Sequence, residues 1–126
     1  SNRTIKQVVP KLLHMVDLEG KEKSFPDELA GGEQARVALA RAIANAPDIL
    51  IADEPTGNLD TKTTNDILNL FTRLNDELGI TIIIVTHEPD VADFTKRKIV
   101  FRDGIVIKDE NVKKRKKVGY NRDKFE

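Results

Sequence analysis

The sequence predicts an α/β fold in which helices pack on a short parallel sheet and a β-hairpin follows. Two runs, at residues 48–52 and 81–85, are almost wholly apolar and rich in β-branched side chains, as in strands buried on both faces. Segments with apolar residues at helical spacing separate and flank these runs. Because strands joined through helices pair in parallel, this order predicts layers of helices on a parallel sheet.

Two helices are predicted before the first strand. Apolar residues recur at helical spacing over residues 4–16, where Pro10 either kinks the helix or lies in its first turn. A polar loop follows at 19–28. A second helix, rich in alanine, leucine and arginine, is predicted from Glu33 to Asn45.

End signals define the helices after the first strand. Asp60 or Thr61 suits the N-cap of a long helix, and Gly79 suits the position just after its last turn. The strand at 81–85 then leads into a short helix at 88–94.

A hairpin and a tail complete the chain. Asp103-Gly104 lies between strand-like runs at 98–102 and 105–108, which is the strongest hairpin signal in the sequence. Beyond Asn111 the residues are charged and almost never apolar, which predicts a loose tail. Two central strands alone make a poor sheet, so we expect that further chain belongs upstream.

The composition limits the classes of function. The 126 residues include 21 Lys plus Arg and 21 Asp plus Glu, so the net charge is zero and no field steers nucleic acid to the surface. No cysteine is present, which excludes disulfides and thiolate metal sites. The longest apolar stretch, Ile80–Val85, is far shorter than the roughly 20 residues that span a bilayer. We therefore expect one modest cytosolic domain without a nucleic-acid partner, whose basic run at 113–117 either touches anionic lipid or is solvated.

Two glycines directly precede the second helix. Gly31 and Gly32 would let backbone N–H groups at the helix N-terminus approach an anion, where the helix dipole also favours negative charge. A loop that needs only glycine flexibility is expected to carry the same pair. The sequence leaves both interpretations open.

Two adjacent carboxylates, Asp53 and Glu54, follow the first apolar run. Open α/β sheets bind their ligands at the carboxyl ends of their strands. At such a place Asp53 would hold Mg²⁺ through water, and Glu54 would polarise a water that attacks a γ-phosphate. The alternative is a strand that simply ends in exposed acids.

A histidine, His87, follows the second apolar run in the same way. If the two strands are neighbours, His87 lies beside Asp53 and Glu54, where its ring would bind a phosphate oxygen or orient water. A single histidine at a strand end is also commonly structural. His14 has no such setting and is interpreted as a surface residue of the first helix.

Four segments together resemble the nucleotide-binding domain of ABC ATPases. They are, in the family's order, Leu29–Gln34, Arg36–Ala42, Leu50–Asp60 and His87. The resemblance implies a P-loop NTPase-like three-layer α/β fold, present here as its C-terminal portion only, with a terminal hairpin. It also implies an ATPase that uses ATP and Mg²⁺.

The resemblance implies a role for each motif. The signature motif, which contacts the γ-phosphate of ATP held by an opposing subunit, matches Ala30, Gly31, Gly32, Glu33 and Gln34. Asp53 matches the Walker B aspartate, Glu54 the catalytic glutamate, and His87 the switch histidine that senses the γ-phosphate. Asn58 and Asp60 match the D-loop, which crosses the interface of a head-to-tail dimer.

Two departures from the family pattern bear on activity. Ala30 stands where serine is usual, so a hydroxyl that would bond the phosphate is lost, at about 1–2 kcal/mol if the bond is charge-assisted. No G-x-x-x-x-G-K-[ST] motif occurs, so the P-loop and its lysine would lie before Ser1. We therefore expect that the chain without its N-terminal P-loop half binds ATP poorly and is inactive.

The segment Pro55–Asp60 resembles the ABC subgroup that serves lipoprotein release, macrolide export and cell division. This resemblance implies the ATPase subunit of a transporter at the inner face of the cell membrane, with a permease as a separate subunit or fused domain. Residues 1–30 would then end the helical subdomain, 31–110 would form the ATPase core, and 111–126 a charged tail. Chromosome-maintenance or DNA-repair ATPases and a non-catalytic truncated fragment are the alternatives.

Overall fold

The computed structural model describes residues 2–18, 20–21, 23–25 and 31–116. Its elements are α1 (Asn2–Met15), α2 (Gly31–Ile43), β1 (Ile49–Asp53), α3 (Thr61–Leu78), β2 (Thr81–Val85), α4 (Pro89–Ala92), β3 (Arg97–Arg102) and β4 (Ile105–Asn111). The predicted α/β class and the predicted order of elements are confirmed. No helix in these described ranges is long and apolar enough to cross a membrane.

The two central strands pair in parallel, as predicted. Ile49 lies opposite Thr81 at one end of the ladder, and Asp53 lies opposite Val85 at the other. β3 and β4 form the predicted antiparallel hairpin, which is a separate sheet within the described part of the chain. The carboxyl ends of β1 and β2 therefore meet at one edge of the parallel sheet.

Helix α3 lies at the centre of the core. Its side chains Ile67, Leu68, Leu70 and Leu74 are no more than 2% exposed. Their helical spacing gives the segment one apolar face, and burial of that face is what holds the helix in place. Buried residues of the neighbouring elements belong to the same cluster: Val16, Leu18, Leu39, Ile43, Leu50, Ile80, Val91 and Phe94.

The helix ends follow local chemistry. Gly79 ends α3 in the left-handed conformation at φ 69°, and its N–H donates to the carbonyl oxygen of Asn75. The side-chain amide of Asn75 also donates to the carbonyl oxygen of Ile80, at 2.8 Å, which fixes the approach to β2. Pro10 lies inside α1, so of the two predicted alternatives the one in which the helix begins at Pro10 is wrong, and the helix continues past the missing backbone hydrogen bond.

The prediction that both strands are buried on two faces is wrong. One face packs on the core through Leu50 and through partly buried side chains of both strands. On the other face the exposed fractions are 57% for Ile49, 68% for Ile51, 47% for Ile83 and 49% for Val85. The physical reason is that the described helices cover only one face of this sheet.

The predicted loose tail is also wrong for residues 112–116. The N–H of Val112 donates to the carbonyl oxygen of Lys96 at 2.9 Å, and that of Lys116 donates to the carbonyl oxygen of Asp93 at 2.8 Å. Composition alone suggested disorder because the segment has few apolar residues, but hydrogen bonds and charge pairs hold it against the domain. Residues 117–126 lie outside the described residues.

A partly buried ion pair connects the turn after α1 to α3. An Nη2 atom of Arg73 lies 3.2 Å from Oδ2 of Asp17, and the Arg73 side chain is only 8% exposed. Asp17 has φ 63°, a left-handed conformation that turns the chain so that Val16 and Leu18 both enter the core. The N-terminal helix is thus attached to the same central helix as the other elements.

Candidate active site

The parallel register brings the predicted catalytic side chains to one edge of the sheet. Because Asp53 pairs with Val85, the residues that follow each strand, Glu54 and His87, lie close together. The N–H of Glu54 donates to the carbonyl oxygen of Val85 at 2.8 Å, which continues the ladder past the end of β1. Ligands of open α/β sheets bind at such edges.

Glu54 has an unusual backbone conformation. Its φ is 45°, in the left-handed region that costs a non-glycine residue about 1–2 kcal/mol. The carbonyl oxygen of Glu54 accepts a hydrogen bond from the N–H of Gly57 at 3.3 Å, within the turn that follows. This sharp turn directs the carboxylate toward His87, and strain of this kind is often found at functional sites.

Glu54 and His87 form a hydrogen-bonded pair. Oε1 of Glu54 lies 2.7 Å from Nδ1 of His87, and the backbone N–H of His87 donates to the same oxygen at 3.1 Å. The side chains are 39% and 81% exposed, so water and solutes reach both of them. The contact uses Nδ1 and leaves Nε2 as the ring nitrogen for another ligand.

This contact shifts the pKa of both groups. The hydrogen bond from His87 holds the pKa of Glu54 below its ordinary value of 4.5, and the same bond raises the pKa of His87 above its ordinary 6.5. The stabilisation from His87 is complete below pH 6.5 and is lost as the pH rises through the raised pKa. The stabilisation from Glu54 is complete above pH 4.5 and is lost as the pH falls through the lowered pKa. The pair therefore stabilises the fold most between pH 4.5 and pH 6.5.

Asp53 provides an exposed carboxylate at the carboxyl end of β1. Within the described ranges there is no group of three or more His, Cys, Asp or Glu side chains that could hold a metal ion. Mg²⁺ typically keeps several waters and is held by one or two carboxylates together with substrate phosphates. The exposed carboxylate of Asp53 is a ligand of this type.

The glycine pair begins α2, and its two members differ in their surroundings. A Cβ atom on Gly32 would lie 2.5 Å from Cγ2 of Thr63, whereas one on Gly31 would lie 3.6 Å from Cδ2 of Leu59. Neither glycine has a positive φ. The close approach of α2 to α3 therefore favours glycine at position 32. This steric reason differs from both interpretations of the glycine pair that the sequence left open, anion binding and backbone flexibility.

The other predicted signature residues are only partly described. Ala30 lies outside the described residues. Glu33 forms an ion pair with Lys21 at 3.6 Å, and Gln34 is exposed on the first turn of α2. Gly31 and Gly32 thus lie close to Leu59 and Thr63, at the start of α3.

The predicted D-loop leads into α3. Asn58 is exposed, and Asp60 occupies the N-cap position without a capping hydrogen bond from its side chain. The pKa of Asp60 lies below its ordinary value, mainly because the Thr63 side chain bonds to the carboxylate. Thr63, which the sequence did not single out, therefore touches both the D-loop and Gly32.

Comparisons with known proteins identify the family. A model of the ABC transporter family matches residues 2–57. The macrolide export ATP-binding/permease protein MacB of Rhodopirellula baltica is 48% identical over 86% of this chain and 16% of its own length. The cell division ATP-binding protein FtsE of Mycobacterium tuberculosis is 47% identical over 84% of this chain and 46% of its own length. The methionine import ATP-binding protein MetN of Ligilactobacillus salivarius is 48% identical over 85% of this chain and 31% of its own length. The chain belongs to the ABC transporter ATP-binding family.

Solved ABC cassettes have the same fold as this ABC chain. The dimeric bacterial ABC transporter cassette MJ0796 aligns with a TM-score of 0.75 and 42% identity, over 90% of this chain and 49% of that one. A post-hydrolysis state of MJ0796, bound to ADP and Pi, aligns with a TM-score of 0.75 and 41% identity. The predicted cassette fold is confirmed. The ABC chain spans less than half the length of MacB, FtsE, MetN and MJ0796.

The hydrogen bond between Glu54 and His87 can be tested by NMR titration. In the ABC chain with Glu54→Gln, the pKa of His87 is expected to fall toward its ordinary value of 6.5, because the neutral amide no longer favours the imidazolium. The measurement follows the imidazole carbon-bound protons against pH. The spectrum of His14, which lies on α1, is the internal control and should be the same in both proteins. A His87 pKa that is equal in both proteins would contradict the pairing.

The packing role of Gly32 can be tested by urea unfolding. Gly32→Ala is expected to lower the free energy of unfolding by about 1–3 kcal/mol, because its Cβ would overlap Cγ2 of Thr63. Gly31→Ala is the matched control and should be neutral or slightly stabilising, since alanine favours helix. Thr63→Ser removes the Cγ2 methyl, so Gly32→Ala combined with Thr63→Ser should regain most of the loss. Equal stabilities of Gly32→Ala and Gly31→Ala would refute the close approach.

Proposed function

We propose that this chain is the C-terminal part of the ATP-hydrolysing subunit of an ABC transporter. The observation that carries the proposal is the 2.7 Å contact between Glu54 and His87 at the carboxyl edge of the sheet. Glu54 directly follows Asp53 in the sequence. A general base must lie within hydrogen-bond reach of the water that it activates, and an exposed carboxylate in a fixed orientation meets that requirement. Glu54 is ionised near neutral pH, since the hydrogen bond from His87 holds its pKa below an ordinary value of 4.5 that already lies well under neutrality.

Glu54 and His87 have different roles at the γ-phosphate. Glu54 accepts a hydrogen bond from the attacking water and so orients and polarises it. His87, oriented by Glu54 through Nδ1, presents Nε2 to a phosphate oxygen. Asp53 would hold Mg²⁺ through a water, and the ion would supply positive charge beside the phosphate oxygens.

A second ATPase subunit completes the site. In this arrangement Ala30, Gly31, Gly32, Glu33 and Gln34 of one subunit face the γ-phosphate of ATP held by the other, in a head-to-tail dimer. The N–H groups at the start of α2 provide the anion-binding chemistry. Asn58 and Asp60 lie in the D-loop at the subunit interface. The dimeric structure of MJ0796 supports a second subunit.

An N-terminal half with the P-loop covers the open face of the central sheet. The exposed side chains Ile49, Ile51, Ile83 and Val85 form an apolar surface that suits burial under a further layer. The greater length of the related proteins supports such a layer. Its P-loop would provide the phosphate cradle and lysine.

The complete subunit works with a permease at the inner face of the cell membrane. Residues 1–30 end the helical subdomain and face the permease, and residues 31–110 belong to the ATPase core. Relatives include an exporter of macrolides and an importer of methionine, each similar to this chain at 48% identity. The cargo and the direction of transport are therefore set by the permease.

The catalytic role is tested by Glu54→Gln in the complete subunit. Hydrolysis is expected to fall by about 100-fold or more, because the neutral amide cannot act as a base, while ATP still binds and holds the dimer together. Turnover and dimerisation are measured by phosphate release and light scattering. Asp90→Asn is the control, since Asp90 is an exposed carboxylate three residues beyond His87. Unchanged turnover in Glu54→Gln would remove Glu54 from this role.

The need for the N-terminal half is tested by calorimetric titration of Mg-ATP. The 126-residue chain is expected to give no detectable heat, whereas the complete subunit binds with micromolar or tighter affinity, because the P-loop provides most of the phosphate contacts. Clear micromolar binding by the 126-residue chain would mean that its own residues form a phosphate cradle.

A further inference from the structure

We propose that residues 112–116 form a strap that positions His87, and that Arg115 anchors this strap to α3. The strap is hydrogen-bonded to the residues that follow α4, and α4 is the short helix that begins two residues after His87. Arg115 is thus a positioning residue, because it acts on His87 through α4. The significance for catalysis rests on the proposed function, whereas the physical connection does not.

The anchor is a charged pair at the C-terminal end of α3. Nη2 of Arg115 donates to Oδ2 of Asp76 at 2.6 Å, and the two side chains are only 14% and 21% exposed. Nζ of Lys96 lies 3.4 Å from the other carboxylate oxygen of Asp76. Charge-assisted hydrogen bonds of this length are stronger than neutral ones, and low exposure limits their screening.

The strap then runs along the segment that joins α4 to β3. Backbone hydrogen bonds join its two ends to this segment, from Val112 to Lys96 at 2.9 Å and from Lys116 to Asp93 at 2.8 Å. The ammonium of Lys116 lies 5.6 Å from the ring centroid of Phe94, close enough for a cation–π contact. Residues 93–96 are therefore held between the strap and the core.

Helix α4 depends on such support. It has four residues, too few to be stable without tertiary contacts, and its N-cap Glu88 makes no capping hydrogen bond through its side chain. Val91 and Phe94 attach it to the core, at 2% and 4% exposure. A cleft of about 290 Å³ lies between α4 and the turn after Glu54, so packing is incomplete on that side. Lys116 of the strap is one of the residues that line this cleft, so the strap supports α4 at the border of the cleft.

Support of α4 fixes the backbone of His87. Glu88 follows His87 directly, and its N–H donates to the hydroxyl oxygen of Thr86 at 3.1 Å. A shift of α4 would therefore move the His87 N–H away from Oε1 of Glu54, where it now donates at 3.1 Å. Arg115 thus controls the geometry of the pair from the far end of α3.

The first test compares amide hydrogen exchange in Arg115→Ala and Lys113→Ala of the 126-residue chain. Arg115→Ala is expected to speed exchange at His87, Val91 and Phe94 about tenfold, because opening of α4 becomes easier, while amides in the middle of α3 keep their rates. Lys113 is exposed in the same segment, so Lys113→Ala removes a charge without removing the anchor. Asp76→Asn, which breaks the pair from the α3 side, should reproduce the local change, and Arg115→Lys should restore most of the protection.

The second test measures hydrolysis by the complete subunit. Arg115→Ala is expected to lower kcat severalfold with an unchanged KM for ATP, because His87 is misplaced after nucleotide binds. Equal exchange in Arg115→Ala and Lys113→Ala would overturn the strap, and so would faster exchange throughout α3. The exchange readout needs no nucleotide. If Glu54→Gln leaves hydrolysis intact, the proposed function fails, while the exchange data still decide whether the strap exists.

Discussion

Burial of α3 is the constraint on which the rest of the structure depends. Its middle residues, among them Leu70 and Leu74, are entirely removed from solvent. Four contacts attach neighbouring elements to this helix: ion pairs at Arg73 and Asp76, a close approach at Thr63 and a side-chain amide hydrogen bond at Asn75. A large apolar burial thus fixes the helix, and a few polar contacts on its surface position the elements around it.

The parallel register of β1 and β2 positions the residues of the candidate site. It places the residues after β1 and β2 side by side, so the geometry of Glu54 and His87 depends on a five-residue ladder with no long loop between the strand ends and the pair. The strained φ of Glu54 is offset locally, because its N–H and carbonyl oxygen are both hydrogen-bonded and its carboxylate accepts two bonds from His87. If Glu54 has the proposed catalytic role, a carboxylate held in this way needs little reorganisation before reaction.

The parts of this structure that sequence could predict are those set by local chemistry. Apolar spacing gave the helices, β-branched runs gave the strands, and the strand-end rule brought Glu54 and His87 together. Thr63 was missed because nothing in its own neighbourhood indicates that Gly32 packs against it. Arg115 was missed because its partner lies 39 residues away and a basic run usually remains solvated. The exposure of one sheet face was mispredicted because the sequence of an apolar strand is the same whether or not another layer packs on it. The roles of the signature residues stay predictions.

The open face of the central sheet has a consequence for the behaviour of the separate chain. In the part of the chain that the structure describes, β1 and β2 have only each other as neighbours, so each leaves an outer edge with free backbone donors and acceptors. Combined with exposed Ile51 and Val85, such edges are templates for strand addition by another molecule. If the proposed N-terminal half covers this face, its packing on the sheet competes with self-association of the strands, so the solubility of the chain depends on that cover as well as on the stability of its own core.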